Sequence, residues 1–232
     1  MLALQQRHQL LLVQQPRAAK GLAEGPFGKE VAYMLGLLAG LQHKRGHYAA
    51  AVELRQRVLA IREARLQEDH SSLHDVEDAL SELGKSLSRC CDFIAAEAVL
   101  RRALALSHEC YGQRFVDGGP YAARNFRELG LVLSAQGDYA GAAPLLRRAV
   151  EGYERWLEID SPHKLGNLAD ALESLVGVLQ VQQQHGDVKR LRERACTLLA
   201  QAKAAGYSPE HPALQMLQSL AFPANEEEKP NQ

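Results

Sequence analysis

The stretch Phe126-Arg127-Glu128-Leu129-Gly130-Leu131-Val132-Leu133-Ser134-Ala135-Gln136-Gly137-Asp138-Tyr139-Ala140-Gly141-Ala142-Ala143-Pro144-Leu145-Leu146-Arg147-Arg148-Ala149 decides the fold. Phe126, Leu129, Gly130 and Leu133 recur at i, i+3, i+4 and i+7, which places them on one face of a helix. Gly137-Asp138 then breaks the pattern, and Ala142, Leu146, Ala149 and Tyr153 restart it on a second helix. Glycine inside a helix costs about 1 kcal/mol against alanine. Gly130 therefore needs a packing reason, and the spacing predicts one: with Ala142 opposite, two antiparallel helices can approach closely.

Working outward, the phrase repeats. Arg45-Gly46-His47-Tyr48-Ala49-Ala50-Ala51 and Cys91-Asp92-Phe93-Ile94-Ala95-Ala96 precede Gly137-Asp138-Tyr139-Ala140-Gly141-Ala142, with Gly186-Asp187-Val188 as a fainter fourth copy. The steps between them are 45, 46 and 49 residues, a period that suits two long helices per repeat. Leu80, Leu83, Gly84 and Leu87, followed by Ala96, Leu100, Ala103 and Leu106, reproduce both helical faces in the second copy. No segment shows sustained two-residue alternation with β-branched enrichment, so no strands are expected.

These residues resemble the tetratricopeptide repeat: Leu129-Gly130 in helix A, Gly137-Asp138-Tyr139 at the turn, then Ala142 and Ala149 in helix B. The long period and the phrase from Ala142 to Ala149 are similar to the kinesin light chain subclass. So are the junction phrases Asp69-His70-Ser71, Ser161-Pro162-His163 and Glu210-His211-Pro212. The fourth copy departs from the pattern, with Leu191 where the small alanine is expected and a helix A two residues longer. The junction after the second copy, Tyr111 to Pro120, lacks the histidine and carries Gly118-Gly119-Pro120. The resemblance implies an all-α, right-handed superhelix of about four antiparallel helix pairs, with an N-terminal helix and a C-terminal capping helix. The expected divisions are 1–28 for the N-terminal helix and linker and 29–221 for the solenoid. The repeats fall at about 30–73, 74–118, 119–163 and 164–208, with a cap at 209–221 and a flexible tail at 222–232.

Composition excludes several classes. The chain has 232 residues, 46% hydrophobic and 24% charged, with 27 bases against 28 acids. No overall basic balance points to nucleic acid, and no apolar run, Leu10–Val13 among them, approaches a membrane span. Four cysteines, two of them adjacent at Cys90 and Cys91, are too few and irregular for a disulfide framework and suit a reducing compartment. A cytoplasmic location is expected. The first 23 residues contain no acid and three bases, which leaves a mitochondrial targeting segment open beside the simpler reading of a short amphipathic helix packed on the end of the fold.

Three constellations invite chemistry and lose to geometry. Cys90, Cys91, His108 and Cys110 suit zinc by ligand type, yet the helix between Cys91 and Cys110 separates them by roughly 28 Å, far beyond a metal bond. Nine histidines suit proton transfer, but His70, His163 and His211 recur at the junctions, as capping or packing residues would. Gly25-Pro26-Phe27-Gly28-Lys29-Glu30 has Ala23 and Glu30 where a phosphate loop needs glycine and a hydroxyl. No catalytic residue, metal or cofactor is expected, and no small-molecule substrate.

The groove is the remaining candidate. The family resemblance implies that helix A positions two, five, nine, twelve and thirteen face inward. These are Tyr33, Gly36, Gly40, His43 and Lys44, then Asp78, Ser81, Lys85, Ser88 and Arg89, then Arg124, Arg127, Leu131, Ser134 and Ala135. Lys44, Lys85, Arg89, Arg124 and Arg127 outnumber Asp78 by five to one in a neutral chain. That asymmetry favours an acidic peptide or helix from a protein partner. Kinesin light chains carry paired asparagines where Ser81-Glu82 and Arg127-Glu128 stand, so their cargo recognition does not transfer. The expected function is a non-catalytic interaction scaffold. The alternative is a structural subunit or assembly factor of a large complex, which a mitochondrial location would suit.

Overall fold

The computed structural model describes residues 28–66, 73–111, 120–157 and 162–223. All regular structure among them is helical: α1 (Gly28–Lys44), α2 (Tyr48–Leu66), α3 (Leu73–Arg89), α4 (Phe93–Tyr111), α5 (Pro120–Ala135), α6 (Tyr139–Arg155), α7 (Pro162–Val181), α8 (His185–Ala204) and α9 (Pro212–Ala221). None is long and apolar enough to cross a membrane. The chain forms two compact units, one within residues 1–112 and the other within 113–232. In the first, α1 packs on α2, α2 on α3 and α3 on α4. In the second, α5 packs on α6, α6 on α7, and α7, α8 and α9 close together.

The repeated turn phrase is a helix stop followed by a helix start. Gly46 and Gly137 sit at φ +81° and +85°, the left-handed region in which glycine carries no steric cost. The Asp138 N–H then donates to the Leu133 carbonyl at 2.9 Å, folding the chain back on the helix it has left. The Asp138 carboxylate accepts from the Gly141 N–H at 2.9 Å, satisfying one of the orphan donors of α6. Asp92 does the same for the Ala95 N–H at 3.2 Å. Cys91 holds the left-handed position in its turn, at φ +61°.

The fourth turn corrects the sequence reading. The left-handed residue is Gln183, at φ +59°, and the Gln184 N–H donates to the Leu179 carbonyl at 2.9 Å as Asp138 does to Leu133. Gln183 lies 46 residues after Gly137, so Gly186-Asp187 is not the counterpart of Gly137-Asp138. In the corrected register Val188, which is buried, takes the place of Ala142, and Leu191 is not a departure from a small position. The added length is at the start of the first helix: α7 has 20 residues against 16 in α5.

Gly130 and Gly84 sit where the helices of a pair cross. A Cβ on Gly130 would lie 2.8 Å from Leu146 Cγ, and one on Gly84 2.5 Å from Leu100 Cγ. Both leucines are completely buried. The missing side chain is thus filled by a leucine from the second helix rather than by the expected contact with Ala96 or Ala142 alone. Leu80, Leu129, Leu172, Leu175 and Leu198 extend the same interior. Side-chain bonds fasten α6 to the next pair: Arg147 to Asp187 at 2.7 Å, Arg194 to Glu154 at 2.7 Å, and Gln182 Nε2 to the Tyr139 carbonyl at 2.9 Å.

The expected outcome of Gly130→Ala is a net loss of about 2 kcal/mol, since overpacking at a buried leucine exceeds the helix-propensity gain. Gly177, also helical, has nothing within 4 Å of a would-be Cβ. Gly177→Ala should stabilise by up to about 1 kcal/mol. Urea unfolding followed by circular dichroism reads both.

Candidate partner-binding surface

Two basic residues of the first unit, His43 and Arg89, meet at one tyrosine. Tyr48 opens α2, directly after the turn, and its ring meets the edge of His43 from the end of α1 at 5.2 Å. Arg89, at the end of α3, stacks its guanidinium 5.2 Å from the same ring and donates from Nη2 to the Tyr48 hydroxyl at 3.0 Å. Cation–π attraction and the hydrogen bond hold an exposed arginine in one place, limiting the conformational freedom it would otherwise lose on meeting a partner.

Beneath this layer lies an arginine in the interior. Arg55, midway along α2, is 6% exposed. Its Nη2 donates to Glu82 Oε2 at 2.5 Å, and its Nη1 donates to the Glu82 carbonyl and the Ser86 hydroxyl. A buried guanidinium is tolerated because paired charge and hydrogen bonds replace its water. Ser86 Oγ in turn lies 3.1 Å from His43 Nδ1. With Oγ accepting from Arg55, a neutral His43 accepting at Nδ1 completes the chain from Glu82 to the imidazole.

The electrostatics agree with that assignment. Burial holds the His43 imidazole below its ordinary value, and the positive charges of Arg55, Lys85 and Arg89 depress it further against the pull of Glu82. These bases therefore share one field, whose sign only Glu82 opposes among the groups acting on His43. Arg89, which is almost fully solvated, is held more basic than usual by its bond to Tyr48.

Of the sequence candidates in this unit, Lys85 and Arg89 enter the cluster, and Lys44 stands exposed at the C-terminal end of α1. Ser81 does not face outward: it is 2% exposed and donates to the Glu77 carbonyl at 3.1 Å. Asp78 accepts from Arg62 at 3.1 Å. Arg55 and Tyr48 escaped the sequence reading. The signal for Arg55 was a charge at the register where the next two repeats carry Leu100 and Leu146.

Arg124 and Arg127 lie in the second unit and are engaged there. Arg127, 18% exposed, pairs with Glu128 at 3.3 Å and Asp170 at 3.6 Å. The Arg124 guanidinium lies 6.0 Å from the Tyr121 ring. Both act on the Tyr153 hydroxyl, which burial pushes up to about 12 even though these arginines lower it. This is a structural network with its charges largely matched. At the junctions, His211 Nδ1 accepts from the Ala213 N–H at 3.2 Å and caps α9. His70, the side chains of His163 and Cys110, and the loop at Gly25 lie outside the described residues.

The tetratricopeptide repeat family matches residues 31–72 and 127–163. A crystal structure of a singly substituted form of a Podosopora anserina kinesin light chain protein with nearly identical TPR-like repeats aligns at TM-score 0.63 and 20% identity, covering 85% of this chain and 86% of that one. The form without that substitution aligns at TM-score 0.59 and 22% identity over 82% of each chain. BtubC (BKLC) from P. vanneervenii aligns at TM-score 0.63 and 20% identity, covering 80% of this chain and 69% of that one. No curated protein matches. Two stretches of the chain thus match the tetratricopeptide repeat, and its all-α fold is that of kinesin light chain TPR-like repeats.

Because the folded state holds His43 below its unfolded value, folding disfavours its protonation. No penalty exists well above the ordinary histidine value of about 6.5, where the ring is neutral in both states. It grows as pH falls through that value and levels off below the folded pKa. His43→Gln should therefore reduce the stability lost between neutral pH and about pH 5, read by urea denaturation at each pH. An identical pH profile in the variant would contradict the cluster's field.

Proposed function

We propose that this tetratricopeptide-repeat chain is a non-catalytic protein–protein interaction scaffold that takes an acidic peptide or helix of its partner on the basic surface of the first unit. The observation that carries the reading is Arg89 held on Tyr48 beside His43, the imidazole on which the charges of Arg55, Lys85 and Arg89 act together. Arg89 supplies the exposed, pre-positioned fork for a carboxylate, and charge-assisted bonds of that kind exceed neutral ones in strength. Lys85 adds a mobile point charge, and Lys44 extends the basic edge along α1. Arg55 touches no partner; it contributes positive field from below and locks Ser86 and His43 in place.

Arg124 and Arg127 take a lesser part. Arg127 already has Glu128 and Asp170, so a ligand carboxylate must compete with two others. An acidic segment bound at the first unit gains more, since its charges meet fewer resident acids.

Fluorescence anisotropy of a labelled Asp/Glu-rich peptide tests this on the full chain. Lys85→Glu combined with Arg89→Glu should weaken binding about tenfold or more, and added salt should weaken the parent's binding through screening. Arg124→Gln with Arg127→Gln should change affinity less than threefold or so, a difference under about 0.7 kcal/mol. Unaltered affinity in the first double variant sinks the assignment.

A further inference from the structure

The outer face of α1 is apolar and uncovered among the described residues. Tyr33, Met34, Leu37, Leu38 and Leu41 fall on one side of the helix and are 43% to 64% exposed. Gly36 and Gly40, between them, have nothing within 4 Å of a would-be Cβ. A contiguous patch of this kind on one helix marks a contact surface.

The repeat register says what kind of contact. Gly46 and Cys91 lie 45 residues apart, so Met34, Leu38 and Leu41 correspond to Ala79, Leu83 and Ser86 of α3. All three of those are buried. Ala79 packs in a cluster with Val58 and Ile61 of α2, and Ser86 accepts from Arg55 of α2. In the second unit the counterparts on α7, Ala171, Leu175 and Val178, are likewise buried, and α7 packs on α6. Within each unit, the second helix that precedes covers this register, α2 on α3 and α6 on α7.

The same step of 45 residues carries α2 back to residues 3–21 and the start of α3 back to Gly28, where α1 begins. Under it Arg55 corresponds to Leu10 and Val58 to Val13. Their contacts change in concert. Arg55 meets Glu82 and Ser86, whose counterparts are Leu37 and Leu41; Val58 meets Ala79, whose counterpart is Met34. A polar pair of surfaces in one repeat has become an apolar pair in the other. Pro16 stands in place of Ile61 and cannot continue a helix interior, so the correspondence ends before it.

We propose that the segment Ala3 to Gln15 lies as a helix across Tyr33, Met34, Leu37, Leu38 and Leu41 of the same chain, a half-repeat that closes the first unit. Leu10 seats against Leu37 and Leu41, and Val13 against Met34. The occupant is this segment rather than a second copy or another protein, because its length, its register and its apolar positions match the face it must cover.

Methionine oxidation reads the cover directly. Met34 in the full chain is treated with hydrogen peroxide and followed by peptide mass spectrometry, with the urea-unfolded chain as the reference for full exposure. A cover open no more than about a tenth of the time predicts oxidation at least about tenfold slower than the reference. That protection should be independent of protein concentration and abolished by Leu10→Gln with Val13→Gln. Oxidation at the unfolded rate in the parent overturns the proposal. So does protection that vanishes on dilution, which assigns the face to a second copy, or protection that arises only when cell extract is added, which assigns it to another protein. Should the double variant unfold, Val13→Cys with Met34→Cys, at the register of Val58 and Ala79, provides an independent reading. An intramolecular disulfide between those two positions is expected, and its absence under mild oxidation contradicts the placement.

Discussion

Two helices can close on each other only as far as the side chains between them permit, and here that limit is set by a glycine opposite a leucine. Gly130 receives Leu146, and Gly84 receives Leu100, at separations that leave no room for even a methyl group. In the first unit Tyr48, the first residue of α2, lies between His43 at the end of α1 and Arg89 at the end of α3.

The first repeat modifies the scheme at its second helix. Where the second and third repeats fill the crossing with a leucine, the first places Arg55, and the register in α1 is occupied by Ala39 instead of glycine. An arginine in that position requires partners, and α3 provides Glu82 and the Ser86 hydroxyl. The interior of the first unit is therefore polarised, and the positive charges of Arg55, Lys85 and Arg89 act together on His43. The second unit resolves its arginines differently, by setting Glu128 and Asp170 beside Arg127. The two units share a helical plan and differ in where charge is left unmatched.

Local signals carried most of the fold. The helical spacing around Leu129-Gly130 and Leu146, the left-handed glycines at the turns and the aspartates that cap the following helices are all short-range, and each appears in the sequence as a recurring phrase. The fourth turn escaped because Gln183 adopts the left-handed conformation within a run of three glutamines, while the nearby Gly186-Asp187 imitates the usual phrase three residues late. The site was less legible. Lys85 and Arg89 were visible as basic residues on one helix face, but their grouping with Arg55 depends on bonds spanning 27 and 31 residues. Ser81 misled for a related reason: the resemblance implies a groove-lining position, yet it is buried, with its hydroxyl donating to the Glu77 carbonyl one helical turn back.

The central claim is that the first unit, through Tyr48 and the bases around it, is where an acidic segment docks. Amide chemical-shift mapping of the isotope-labelled full chain during titration with an Asp/Glu-rich peptide tests it most directly. The account predicts that the largest shifts cluster at His43 and Lys44, at the start of α2 around Tyr48, and from Lys85 to Arg89 on α3. Shifts confined to α5 and α7 around Arg124, Arg127 and Asp170, or no saturable shifts at all, would contradict it.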